Sequence, residues 1–135
     1  MSIERIRSLI AQDMGAVDTV IREKLYSDVA LIRQVSEYII NSGGKRLRPA
    51  LVILSAGAFK YAGRHHYNLA AIVEFIHTAT LLHDDVVDAS ELRRSKATAN
   101  ALFGNAASVL VGDFLYSRAF QMMVEVDNMR VMRVL

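Results

Sequence analysis

The chain has 135 residues, 53% of them hydrophobic and 22% charged, with a formal net charge of +2 and no cysteine. It is apolar enough to bury a large core, which excludes a disordered polymer, and its small net charge without a basic stripe excludes an electrostatic nucleic-acid binder. Lack of cysteine excludes a disulfide framework and thiolate chemistry; it suits a reducing, cytoplasmic setting.

One proline, seven glycines and few β-branched runs point to an all-α fold. The start of the chain, Met1 to Arg5, mixes charges and has no secretory apolar core. Ile3, Ile6, Leu9, Ile10, Val17, Val20, Ile21 and Leu25 recur at helical spacing, so a helix is expected over 3–25. Asp28 is the expected cap of a second helix bearing Leu31, Ile32, Val35, Tyr38 and Ile39, which Asn41-Ser42-Gly43-Gly44 stops. Pro49 suits the first turn of a third helix running to about Tyr61. Its apolar run, Pro49 to Phe59, is well short of the ~18 residues that span a bilayer and reads as a buried helix. A fourth helix is expected over 67–88, then a polar loop from Ala89 to Lys96. Thr98 opens a short helical turn, and a fifth helix covers 105–126. Asp127-Asn128 breaks it. The periodic segment from Met129 ends at Leu135 after two turns, without a stop signal, so the sequence reads as cut.

Chemistry concentrates in three places. Asp84, Asp85 and Asp88 stand in Leu-Leu-His-Asp-Asp-Val-Val-Asp, with Asp84 and Asp88 one turn apart on one helix face. Bare carboxylates there repel, so a hard cation such as Mg²⁺, bridging carboxylates to phosphate oxygens, is the expected counter-charge. Glu74, His77, Asp84 and Asp88 form one polar stripe, within about a third of the circumference, on an otherwise apolar helix. A plain solvated face is the alternative. Next, Gly43-Gly44-Lys45-Arg46-Leu47-Arg48-Pro49 sets three cations behind two glycines and before a helix start. That is a plausible anion site but not a P-loop, since Arg46 follows Lys45; a solvated basic loop is the alternative. Finally, Arg93-Arg94 can hold phosphate oxygens two at a time, or simply neutralise nearby acids.

Together these runs, with Val111-Gly112-Asp113-Phe114-Leu115, resemble the trans-isoprenyl diphosphate synthase family over nearly the whole chain. The stretch from Lys96–Asn100 through Phe120–Met123 is most similar to its octaprenyl-forming bacterial members. The resemblance implies an all-α helical bundle of the isoprenoid synthase type, with residues 1–135 as the N-terminal portion of one domain. It implies that Lys45, Arg48, His77 and Arg94 hold isopentenyl diphosphate and that Arg93 contacts an allylic diphosphate such as farnesyl diphosphate. Asp84 and Asp88 would bind Mg²⁺, with Asp85 in support. The implied reaction is loss of the allylic diphosphate, attack by the isopentenyl double bond and loss of a proton. The implied product is a long all-trans polyprenyl diphosphate for quinone side chains, and the implied assembly a homodimer; the fourth and fifth helices, rich in Ala and Val, are expected to supply part of its interface.

Two departures qualify this. Ser95 stands where the family usually has Gly, and the family's second aspartate-rich motif is not in this sequence. Weak or absent turnover by the chain alone is therefore expected. A non-catalytic subunit pairing with a complete synthase, a shorter-chain synthase and a class I terpene cyclase are the alternatives; the Lys45/Arg48 cluster weighs against the last. For product length, small Ala79 and Thr80 leave the path of the tail open, with Phe120, Met123 or Val124 as a deeper floor and plain core packing as the alternative. On that view Ala79→Tyr shortens the product of a full-length parent.

Overall fold

The computed structural model describes residues 2–135. The helices are α1 (Ile3–Leu9), α2 (Ala11–Leu25), α3 (Ala30–Asn41), α4 (Leu47–Ala58), α5 (His66–Val87), α6 (Ala99–Phe103), α7 (Asn105–Val126) and α8 (Met129–Val134). Two short strands, β1 (Leu92–Arg93) and β2 (Lys96–Ala97), pair antiparallel between α5 and α6. The long helices α5 and α7 pack against each other and form the centre, with α2, α3 and α4 laid on them. Small side chains permit the close approach: Ala70, Ala71, Ala79 and Ala119 are fully buried, and Phe75, Ile72, Leu115 and Met122 fill the space between. No helix of the described residues is long and apolar enough to cross a membrane.

Several expected boundaries move. The helix expected over 3–25 breaks at Ile10, whose φ of −111° and ψ of 9° leave the helical region. Asp28 does not cap α3. The preceding residue is Val29, with no side-chain cap, and Ser27 Oγ accepts from the Val29 amide instead. Thr98 does cap α6, accepting from the Ala101 amide at 3.2 Å. Helix α4 is not buried all round: Pro49 and Ile53 are covered, whereas Leu51 and Phe59 are exposed.

The expected polar loop over 89–96 is instead a two-residue hairpin. Its turn residues Arg94 and Ser95 have φ of 51° and 64°, the double left-handed conformation that usually selects Asn-Gly. Tertiary bonds hold it in place of turn chemistry. The Tyr38 hydroxyl donates to the Ala97 carbonyl, and Lys96 Nζ donates to the Ser42 carbonyl at 3.2 Å. Thr98 Oγ1 and Asn100 Nδ2 both donate to the Ser90 carbonyl. A left-handed L-residue costs about 1–2 kcal/mol, part of which Gly returns as chain entropy. Ser95→Gly should therefore raise the unfolding free energy by about 0.5–1 kcal/mol, read by urea denaturation. An unchanged or lowered midpoint would show that the turn carries no such strain.

Candidate diphosphate and metal site

A cavity of about 250 Å³ opens between the end of α3, residues 42–48, one side of α5 and the hairpin. Its wall carries six cations, Lys45, Arg46, Arg48, Arg93, Arg94 and Lys96, and two carboxylates, Glu74 and Asp85. Both carboxylates are already matched. Arg46 Nη1 lies 3.0 Å from Glu74 Oε1. Arg93 Nε and Nη2 reach Asp85 at 3.0 and 2.5 Å. Among the described residues Lys45, Arg48, Arg94 and Lys96 have no carboxylate within 4.0 Å. The N-terminus of α4 adds its partial positive charge. Leu81, Leu82 and Ala97 supply an apolar side. A wall with surplus cations, a helix N-terminus and an apolar flank suits an anion with a hydrocarbon tail.

Local backbone geometry aims these groups. Gly43, at φ 76°, turns the chain away from α3, a conformation open to glycine at little cost. Arg46 then adopts φ 52° just before α4. That is costly for a side-chain-bearing residue, and the part-buried pair with Glu74 holds it. A β-carbon on Gly44 would stand 3.7 Å from Arg94 Nη1, so the hairpin tip and the glycine segment meet at the rim. The Arg46–Glu74 pair and the Tyr38 and Lys96 straps were not visible in the sequence, because each joins residues whose relative placement only the fold sets.

His77 Nε2 lies 3.1 Å from Arg48 Nη1. An arginine has no acceptor, so the ring accepts there and is neutral with its proton on Nδ1. Burial, then the cations Arg48, Arg93 and Arg94, lower the His77 pKa, with Glu74 opposing. The unfolded chain takes its proton near the ordinary value of about 6.5 while the folded ring resists it. This contribution to stability is thus full above that pH and is lost as pH falls below it. Urea midpoints at pH 7.5 and 5.5 should differ more in the wild type than in His77→Gln; equal differences would contradict this.

The three aspartates part company. Asp85 faces the cavity beneath Arg93, whereas Asp84, 100° around an ideal helix from it, is exposed, as is Asp88. Among the described residues Asp84 and Asp88 have no cation within 4.0 Å, and no three carboxylate or imidazole groups converge on one point. Both lie at the C-terminal end of α5, where the helix dipole is unfavourable to negative charge. Two hard oxygen donors, set against the dipole and without a partner, fit part of a divalent-ion ligand set, with the remaining positions left to phosphate oxygens and water.

The expected product-length residues lie elsewhere. Ala79 is fully buried, and Met123 is 4% exposed in the core. Thr80 bonds back to the His77 carbonyl at 2.6 Å. Phe120 and Val124 are 53% and 64% exposed, on an outer face of α7. None of the five lines the cavity, whose α5 side is Glu74, His77, Thr78, Leu81, Leu82 and Asp85. Gly112 has its own constraint: a β-carbon there would stand 2.3 Å from His83 Nε2, so that ring occupies the gap between α5 and α7.

The fold is that of the all-α isoprenoid synthases. It superposes with a TM-score of 0.91 and 51% identity on a decaprenyl diphosphate synthase from Rhodobacter capsulatus, covering 97% of this chain and 41% of that one. A polyprenyl synthase from Caulobacter crescentus CB15, complexed with calcium and isoprenyl diphosphate, gives 0.94 and 49%, covering 98% and 40%. The octaprenyl diphosphate synthase of Escherichia coli K12 is 58% identical over 135 residues, all of this chain and 42% of its own length. The polyprenyl synthetase profile matches residues 29–135, and the chain belongs to that family. It spans about two fifths of the length of these relatives.

Proposed function

We propose that the chain contributes to a prenyltransferase that condenses isopentenyl diphosphate with an allylic diphosphate, such as farnesyl diphosphate, to a long all-trans polyprenyl diphosphate. An octaprenyl product is the reading the name of the 58%-identical Escherichia coli relative supports, and quinone side chains are its proposed use. Residues 1–135 are read as the N-terminal portion of one synthase domain, working in the cytoplasm as a homodimer. The exposed apolar face of α7, with Val109, Phe120 and Val124, is the proposed contact surface. The observation that carries the proposal is a juxtaposition: among the described residues Asp84 and Asp88 have no cation partner at the end of α5, the helix whose Asp85 lines a cavity with four unpaired cations.

In this reading Lys45, Arg48 and Arg94 bind the diphosphate of isopentenyl diphosphate. Neutral His77 accepts from Arg48 and fixes the guanidinium. Arg93 donates to the allylic diphosphate, and Leu81 and Leu82 keep water from the hydrocarbon. Asp84 and Asp88 would hold Mg²⁺, which when bound stabilises charge on the departing diphosphate. The chain alone supplies one wall of such a site, so it should bind diphosphates with little or no turnover. Radiolabelled isopentenyl diphosphate, farnesyl diphosphate and Mg²⁺ give the test. Incorporation should appear in a complete synthase carrying these residues and, with isopentenyl diphosphate below saturation, fall about tenfold with Arg48→Gln. Full incorporation in that variant would reject the assignment.

Product length has a sharper test at Thr80 than at Ala79. Tyr in the fully buried Ala79 site would overpack the α5–α7 contact at a cost of about 1–3 kcal/mol. Thr80 is only half-buried, one turn before Asp84 on α5. Thr80→Phe in a complete synthase should shorten the product; an unchanged chain length would remove this residue from the path of the tail.

A further inference from the structure

We propose that Glu74 is a positioning residue for the isopentenyl diphosphate side of the cavity: through Arg46 it holds the left-handed bend that aims Lys45 and Arg48, and neither member of the pair touches the ligand. The proposal rests on the reading of the cavity as a diphosphate site, and it gives a task to two charged groups on its wall. Arg46 looks at first like a third cation for the anion. Its Nη1 instead lies 3.0 Å from Glu74 Oε1, with side-chain exposures of 25% and 13%. A carboxylate on the wall of an anion site opposes binding, so its presence calls for another task.

The backbone supplies that task. Between α3 and α4 the chain bends at two left-handed residues, Gly43 at φ 76° and Arg46 at φ 52°. Glycine takes this conformation at little cost; arginine does not. Arg46 also starts α4. Its carbonyl accepts from the Ala50 amide at 3.1 Å, yet among the described residues its side chain caps no amide. That side chain reaches instead to α5, 28 positions along the chain. Lys45 precedes the bend directly and Arg48 follows it by two residues, so both take their direction from it. Helix α5 thus holds the basic segment twice, at Arg46 through Glu74 and at Arg48 through His77. Behind the pair the wall is apolar: Arg46 and Glu74 also line a small void of about 10 Å³ with Ile21, Leu25, Phe75 and Leu115. Core packing on that side keeps the pair from swinging inward, and the low local dielectric strengthens it. Part-buried ion pairs add little net stability, because desolvation offsets attraction; their best-attested use is to fix a register. Here the register is that of the basic segment on α5.

The test sets position against charge, with isopentenyl diphosphate titrated into the 135-residue chain by calorimetry. Glu74→Ala removes a negative charge from the wall and frees Arg46, so charge alone predicts tighter binding. The proposal predicts the opposite, a loss of about tenfold, because the bend is no longer held. A second comparison isolates the bend. In a Glu74→Gln background, which leaves no unmatched carboxylate, Arg46→Gly should bind about fivefold more tightly than Arg46→Ala, since glycine adopts the left-handed conformation freely and alanine does not. A pair that only stabilised the fold would move the urea midpoints of these variants and leave the affinities of the folded proteins equal. Unchanged or tighter binding in Glu74→Ala, or equal affinities in the two Arg46 variants, would overturn the proposal. Should Glu74→Ala not fold, the Arg46 comparison decides by itself. A wild-type chain that does not bind isopentenyl diphosphate would sink the reading of the cavity and this proposal with it, whereas the other two results sink the proposal alone.

Discussion

Replacing Lys45 and Arg48 together by Gln should weaken binding of isopentenyl diphosphate by roughly 100-fold. Each charge-assisted bond to an anion contributes about 1.5–3 kcal/mol, and solvent at the rim trims both, leaving about 3 kcal/mol for the pair. The effect should be large because the other cations on the wall do not all compete for the ligand. Arg46 is spent on Glu74 and Arg93 is shared with Asp85, so the double substitution removes half of the unmatched charge. The fold should survive, since both residues are exposed and, among the described residues, neither closes an ion pair. Equilibrium binding of labelled ligand checks this, with the cations Lys60 and Arg64 outside the cavity as controls. A loss of less than about threefold would mean that the cavity does not hold the diphosphate.

Asp84→Asn with Asp88→Asn should produce a second and opposite pairing of effects. The folded chain becomes more stable, by about 0.5–1 kcal/mol, because two like charges one turn apart at the negative end of a helix are relieved. For a chain of this size that is a rise of a few °C in the melting temperature. Meanwhile the gain in diphosphate affinity that Mg²⁺ confers should disappear. Carboxylates that only solvate a surface would show the same rise in stability without any lost metal response. Carboxylates needed for packing would destabilise on removal. Thermal melts with and without Mg²⁺, alongside pyrophosphate binding, separate the three outcomes.

What the sequence made legible follows from how local each signal is. Helices α5 and α7 were readable because long 3.6-residue patterns decide themselves. The lysine, arginine and aspartate runs were readable because their chemistry is contiguous. The hairpin was not, since Arg94-Ser95 has neither the Gly nor the Asn that a left-handed two-residue turn selects, and the turn is held by Tyr38 and Lys96 from across the cavity. The break at Ile10 lacks a glycine or proline to announce it. Helix α7 is apolar on both sides, and periodicity alone does not say which side meets the core, so the exposure of Phe120 and Val124 was not legible. The Arg46–Glu74 and Arg93–Asp85 pairs depend on register between separate elements. Ser95, flagged as a departure from the family pattern, does sit at positive φ.

The most direct measurement is a calorimetric titration of the chain with a non-hydrolysable isoprenoid diphosphate, with and without Mg²⁺. Saturable heat that grows when Mg²⁺ is present, and loses that growth in the Asp84→Asn, Asp88→Asn variant, is the predicted result. An absence of heat under both conditions, repeated in a synthase of full family length carrying these same residues, would contradict the account.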